Sequence, residues 1–316
     1  MDPNLLYWRT EGQSFFSRVR TWFSLLDPAL LLASDPEIQK AHSLLAGRLE
    51  ELGQKDEAAA TLSLSSVHAD SGAPLPLVFR PPAVLPVSGP LVVASLLPHS
   101  TVKPALFWQF LLQSYYAGFN FAHRNRSSEQ QGAETGLRQL LLVAGTVSYA
   151  ACAGALPQIF VNRLNITSPP VQAFLRSALP VPLSAALAFF SVFTIRSEES
   201  ETGVQVFDQQ GNLAGVSKAA GKQAVRETAL SRAALFGATA AFPNLLLLLL
   251  KRTRLFQRNS LLAAPVRHVS TALVLGLMLP VSFSLFPQLG TIKREELEEE
   301  LQAGAAGGHL FYHRGL

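Results

Sequence analysis

Apolar positions are spread unevenly along this chain. Residues 1–82 mix polar and apolar side chains at the period of surface helices, whereas residues 83–287 are apolar runs divided by charged loops. In the first region Phe15, Val19, Trp22, Phe23 and Leu26 recur at helical spacing, and Asp27-Pro28 ends that helix. Ser34-Asp35-Pro36-Glu37 supplies a cap, a first-turn proline and an acid, which predicts a second helix through Ile38, His42 and Leu45 towards Gly47. Residues 50–66 are polar and alanine-rich and predict another surface helix. Ser71-Gly72-Ala73-Pro74 predicts a turn.

The apolar runs at 83–97, 106–122, 137–160, 178–195, 229–250 and 269–286 are candidates to cross a bilayer, which takes about 20 helical residues. The first is short and broken by Pro86, Gly89 and Pro90, so an irregular or re-entrant element is expected there. The third carries Ala144, Gly145, Ala151, Ala153 and Gly154, small residues that let helices approach closely. The polar loop 196–228 contains Phe207-Asp208-Gln209-Gln210-Gly211-Asn212, read as a short strand and a turn. Residues 218–226 then open an amphipathic helix leading into the next span. Arg232 and Arg267 fall at span edges, where arginines snorkel outward. In the tail 288–316, residues 293–302 (KREELEEELQ) predict an acidic helix ahead of a Gly/Ala linker and FYHRGL. The expected class is an all-α integral membrane protein, with five or six membrane helices and a soluble, mostly helical N-terminal region.

Composition agrees. Mean hydropathy is +0.24 and only 15% of residues are charged, against roughly 25% in soluble proteins. The net charge of +4 comes from basic clusters beside apolar runs, which points to a lipid bilayer as partner and away from nucleic acid. No apolar stretch ahead of a small-residue cleavage site reads as a secretory signal. Residues 7–23 carry Arg9, Arg18 and Arg20 among aromatics, as in a mitochondrial presequence, but Asp2, Glu11 and Asp27 run against that reading.

The chemistry is concentrated in the second run. Gln109, Gln113, Ser114 and Asn120 sit in a segment about as long as a bilayer is thick, and buried amides mark helix contacts or a solute path. Trp108 suits an interface anchor, while Tyr115 and Tyr116 lie deeper and need partners for their hydroxyls. Pro243-Asn244, at mid-span, fits either the broken helix of a transporter site or a simple proline kink. Cys152 is the single cysteine, so no intrachain disulfide forms; a buried, inert thiol is expected. His68 and Asp70 (HADSG) lack a third ligand or base, which favours a hydrogen-bonded turn. There is no P-loop, H-E-x-x-H or G-x-G-x-x-G, so neither an enzyme nor a bound metal or cofactor is expected.

These residues carry a resemblance to the sideroflexins, multi-span proteins of the mitochondrial inner membrane. His68-Ala69-Asp70-Ser71-Gly72 resembles the family's H-P-D-T-G, and Leu106-Phe107-Trp108-Gln109 with Gln113-Ser114 resembles L-F-W-Q-W-x-N-Q-S. Asn120, Arg124, Asp208, Gly211, Asn212, Gly215, the stretches Lys222-Gln223-Ala224 and Ser231-Arg232, and Leu285-Phe286-Pro287-Gln288 match in the same order. The resemblance implies a carrier for a small neutral amino acid or related metabolite. The chain departs from the transporting members at Ala69, Ala73, Phe110, Leu112 and Tyr116, the last two replacing span asparagines. In this it is similar to the divergent fourth branch, linked to respiratory complex I assembly proteins and iron–sulfur homeostasis. Loss of two amides implies weak serine transport. Gln109, Gln113, Ser114, Tyr116, Asn120, Pro243 and Asn244 are the path candidates.

Overall fold

The computed structural model describes every residue except 48–53, 98, 100, 126–132, 164–167, 255, 257–258 and 303–306. Helix α1 (Pro3–Glu11) starts at Asp2, whose carboxylate accepts from the Asn4 amide, and α2 (Phe15–Leu25) starts at Ser14, whose hydroxyl accepts from the Ser17 amide. Helix α3 (Asp35–Gly47) begins at the predicted cap, where Glu37 accepts from the Ser34 amide at 2.8 Å and its hydroxyl at 2.7 Å. Helix α4 (Gln54–Ser66) is not the surface helix expected: Ser63, Ser65 and Ser66 are buried, and the Ser63 hydroxyl donates to Asn4 at 2.7 Å. Residues 50–53 of that prediction lie outside the described residues.

The membrane part begins with α5 (Val84–Leu96), which runs unbroken through Pro90. It is regular rather than irregular, but its 13 residues span only about 20 Å, short of a bilayer core. Next come α6 (Val102–Ala122), α7 (Ala133–Arg163), α8 (Pro169–Ala173), a π turn at Phe174–Ala178 and α9 (Pro180–Ile195). After the short α10 (Ser197–Thr202), strands β1 (Val204–Phe207) and β2 (Leu213–Ser217) form the predicted strand and turn, extended into a hairpin. Helices α11 (Lys218–Leu250) and α12 (Ala263–Ser284) complete the bundle. Four stretches among the described residues are long and apolar enough to cross a membrane: Gly136–Val161, Pro170–Ile195, Lys218–Leu250 and Ala263–Ser284. Helix α6 has the length, at 21 residues, but carries the amides. The chain is therefore mainly helical and multi-pass.

Two further local expectations fail. Cys152 is exposed on α7 rather than buried, on a helix whose Tyr149 and Leu156 also face outward. The tail is not an acidic helix. Strands β3 (Leu289–Lys293) and β4 (His309–His313) join the hairpin in an antiparallel sheet of order β2-β1-β4-β3, and two short 3-10 turns replace the helix. Clustered glutamates repel on a helix, whereas here Ile292 and Leu297 are buried in one cluster with Val206, Ala220 and Tyr312. Glu298 accepts from the Ser217 hydroxyl and the Lys218 and Ala219 amides at 2.7–3.0 Å, and so caps α11 from across the fold. The N-terminal helices share a core with the spans. Trp8 stacks on Trp22 at 5.6 Å, and Trp22 meets the edge of Phe283 of α12 at 4.9 Å.

Candidate functional site

Helices α5, α6, α7, α9, α11 and α12 and the π turn enclose a cavity of about 150 Å³. Gln109, Gln113, Tyr116 and Asn120 of α6 all line it, each about one turn from the next on a single face. Gly154 of α7 makes room for the Gln109 amide: a Cβ there would stand 2.7 Å from Oε1. Thr239 of α11 and Gln158 of α7 add polar groups, and Gln158 donates to the His99 carbonyl at 2.6 Å. Leu112 and Tyr116, the positions that depart from the resembled pattern, both face this space.

Arg232 and Arg267 line the same cavity; Arg232 is buried inside the bundle, which corrects the expectation that it snorkels outward, while Arg267 is half-buried near the start of α12. Arg232 is only 2% exposed, with its guanidinium 4.5 Å from the Phe283 ring centroid and 5.6 Å from that of Phe119. Those aromatic faces hold the cation inside the bundle. Among the described residues its Nη2 has no hydrogen-bond partner, nor has Arg267 Nε or Asn120 Oδ1. The Tyr116 hydroxyl lies beside Ser88, whose own proton goes to the Val84 carbonyl, and among the described residues Tyr116 Oη has no hydrogen-bond partner. Sequence reading missed both arginines as site residues. The available signal was a charge within an apolar run, which marks function more often than decoration.

Three path candidates fall elsewhere. Ser114 is half-buried outside the cavity lining. Pro243 is buried in an α11 that continues unbroken, and the Asn244 amide donates to the Ala240 carbonyl at 2.9 Å and the Ser177 carbonyl at 3.1 Å. Asn244 thus ties α11 to the π turn, and the broken-helix reading is set aside.

The family-motif residues other than Trp108 gather instead at the sheet end of the bundle. His68 closes its turn through bonds to Ala73 and Gly72, the latter at φ +66°, and its Nε2 meets the Arg124 carbonyl at 2.9 Å. The Asp70 amide donates back to His68 Nδ1, so HADSG is a turn built around an imidazole. Arg124 lies over Phe121, with 3.9 Å to the ring centroid. Asp208 accepts from the Gln210 and Asn212 amides, and Gly211 takes φ +85° in the same hairpin turn. Pro287 is exposed, and Gln288, with its amide oriented to suit its neighbours, accepts from Arg314 at 2.8 Å and donates to Gly315 at 3.2 Å. Trp108 is half-buried and stands edge-on to Phe107 at 5.3 Å.

The centre of this end is Arg196, fully buried, which the sequence reading treated only as loop charge. It donates to Glu199 through Nε and Nη2, to Thr228 at 3.1 Å and to the Arg314 carbonyl at 2.7 Å. Asn125 bridges Glu199 at 2.8 Å and the His313 backbone at 3.0 Å. Burial pushes the His123 imidazole down to about 3, and burial beside His68 and the arginines pushes His313 well below its ordinary range. Among the described residues no group of three His, Cys, Asp or Glu is placed to hold a metal.

The sequence profile described as Sideroflexins matches residues 4–316. A Danio rerio protein named Sideroflexin-4 is 52% identical over 318 residues, covering the whole of both chains. The Homo sapiens protein of that name is 36% identical, covering all of this chain and 93% of that one, and Homo sapiens Sideroflexin-5 is 30% identical over 98% and 91%. No solved structure matches. With membrane helices, motif turns and end-to-end similarity in agreement, the chain belongs to the sideroflexin family and is a multi-pass membrane protein.

Proposed function

We propose that this protein is a mitochondrial inner-membrane carrier for a small solute of the amino-acid type, with weak transport of serine, in support of respiration and iron homeostasis. The observation that carries the reading is the cavity, where amides and a guanidinium converge with polar atoms left unpartnered. A pocket among membrane helices with a few convergent polar groups is the usual form of a small-molecule site. Its size suits a small solute, since a cavity of about 150 Å³ holds benzene. Leu112 and Tyr116 bear on specificity, because they present an aliphatic chain and a phenol where an amide would hydrogen-bond a polar substrate.

The test is uptake of labelled neutral amino acids by the purified protein in liposomes. Saturable uptake, lost in the Gln113→Ala/Asn120→Ala double variant, is expected. Serine uptake should be weak and should rise in Leu112→Asn/Tyr116→Asn. Serine transport as strong as that of a serine-carrying relative would overturn the specificity claim. No saturable uptake of any labelled solute would overturn the carrier reading.

A second reading, a non-transporting assembly factor for respiratory complex I with an indirect link to iron–sulfur biogenesis, has its own support. Strand β2 is a sheet edge with Leu213 58% and Val216 47% exposed. Exposed edges are templates for pairing with another chain. If this reading holds, Leu213→Lys/Val216→Lys will abolish rescue of complex I assembly in cells lacking the protein, while Gln113→Ala/Asn120→Ala will not. The reverse pattern favours the carrier.

A further inference from the structure

Helix α2 has three sides. Arg18, Trp22 and Leu25 are buried on the first. Trp22 meets Phe283, and Arg18 Nε donates to the Ser284 carbonyl at 3.0 Å, so this side is fastened to the end of α12. Ser17 and Thr21 form a polar flank turned to α1: the Ser17 hydroxyl donates to the Glu11 carbonyl, and Thr21 lies beside Tyr7. The third side is Phe15, Phe16, Val19 and Phe23, four apolar side chains within an arc of about 100°. Phe16 is 80% exposed and Phe23 is half-exposed. Helix α2 holds no acid, and its one exposed charge is Arg20, about one turn from both phenylalanines.

Two other exposed apolar groups lie on the same rim of the bundle. Leu32, 88% exposed, ends a 3-10 turn (Pro28–Leu32) that packs against Pro81–Ala83, immediately ahead of α5. Leu77 and Val78 are half-exposed in a segment laid along α6. There the Tyr115 hydroxyl donates to the Val78 carbonyl at 3.1 Å, and the Phe79 ring fills the space over Gly118, where a Cβ would stand 2.5 Å from its Cζ. Tyr115 and Gly118 lie seven and four residues before the end of α6, so this segment sits about 6–10 Å below that end. Helix α5 packs against both α12 and α6, so the three groups follow the rim from one helix to the next. On α12, Val269, Leu273 and Leu277 form an exposed row four residues apart along a membrane span, and Leu285 extends the row to the point where Arg18 is bound.

We infer that the apolar flank of α2, with Leu32 and Leu77-Val78, is seated in the bilayer interface at the sheet end, against acyl chains, with Arg20 at the level of the lipid phosphates. Lipid is the occupant for three reasons. The patch is continuous with the lipid-facing row of α12. It sets phenyl groups beside an arginine at the depth interfacial helices reach, about 5–10 Å. It also follows a curved rim over three helices, which suits a continuous medium better than the compact face of a second chain. The membrane thereby holds the N-terminal region, soluble by its sequence pattern, flat against the bundle.

The experiment places single nitroxide labels on the full chain in liposomes of phosphatidylcholine and phosphatidylglycerol. On a Cys152→Ser background the labelled variants are Phe16→Cys, Phe23→Cys, Leu32→Cys and Leu77→Cys, with Lys40→Cys, exposed on α3, as the reference in water. Collisions with oxygen, which partitions into lipid, are compared with collisions with a water-soluble nickel chelate. Oxygen access severalfold above nickel access at positions 16, 23, 32 and 77, and the reverse at position 40, is expected. Nickel access at position 23 or 77 equal to that at position 40 overturns the inference. Poor access of both reagents, or spin–spin broadening between labels on two chains, overturns lipid in favour of a protein partner or a second copy. Should Phe23→Cys fail to fold, Leu32→Cys and Leu77→Cys decide the matter, since both replace exposed side chains outside α2.

Discussion

Arg196 and Arg232 are both enclosed by the same bundle, 0% and 2% exposed, yet their surroundings are opposite. Arg196, at the sheet end, has a two-pronged bond to Glu199 and further bonds to a threonine and to backbone carbonyls. Arg232, one turn further along α11 than the Thr228 that serves Arg196, has aromatic faces, an unpartnered Nη2 and a cavity. A buried charge whose neighbours saturate it holds structure together. A buried charge left with a free donor beside empty space is placed to meet a solute, which is the role proposed for the cavity above.

Removing Glu199 should have the largest effect. Glu199→Ala strands Arg196 and is expected to destabilise the fold by about 3–5 kcal/mol, read as a fall in unfolding midpoint in detergent. A loss below 1 kcal/mol would mean the sheet end is not held by this pair.

Acid should act on the same end. The unfolded imidazole of His123 titrates near 6.5 and the folded one at about 3, so the folded chain binds fewer protons between those values. Stability is therefore whole above pH 6.5 and falls as pH drops below it, by up to about 1.4 kcal/mol per pH unit for each such histidine. His123→Phe should flatten the slope of unfolding midpoint against pH between 7 and 5, whatever it does to the midpoint itself. An unchanged slope would show that His123 is not held neutral.

A smaller effect is expected at the cap supplied by the tail. Burial works to raise the Glu298 carboxyl, but hydrogen bonds from Ser217, Ala219 and Lys218 outweigh it and hold the group below its usual 4.5. Glu298→Ala should cost about 1 kcal/mol, as for other helix caps. The gap between variant and natural protein should be full above pH 4.5 and close as the natural carboxylate is protonated below it.

The smallest effect on stability sharpens the comparison most. Arg232→Met replaces an unsatisfied buried cation with an apolar chain of similar length, so the unfolding midpoint should be unchanged or higher. Saturable uptake of labelled neutral amino acids in liposomes should vanish. If Arg232→Met were as destabilising as Glu199→Ala, the two arginines would share a structural role.

Much of this was legible in sequence, for identifiable reasons. The spans follow from run length and hydropathy, which are local quantities. The Ser34–Glu37 cap and the Asp208–Asn212 turn were readable because their partners lie within four residues of each other. The sheet was not, because its strands are four or five residues long and pair across distance: Phe207 lies opposite Phe311. Short segments such as LGTIK and HLFYH show no sustained alternation, and the glutamates between them resemble a helix until Ile292 and Leu297 are needed in a core.

The amide face of α6 shows the boundary most clearly. Helical spacing alone determined that Gln109, Gln113, Tyr116 and Asn120 would share a side, since a period of 3.6 residues is a property of the backbone. Which side lines a cavity, that Ser114 and Asn244 stand off it, and that Arg232 points inward were decided only when five other helix segments closed around that face. Hydropathy counts a charge near a span edge the same way whether it meets water or the rings of Phe119 and Phe283, and only packing distinguishes the two.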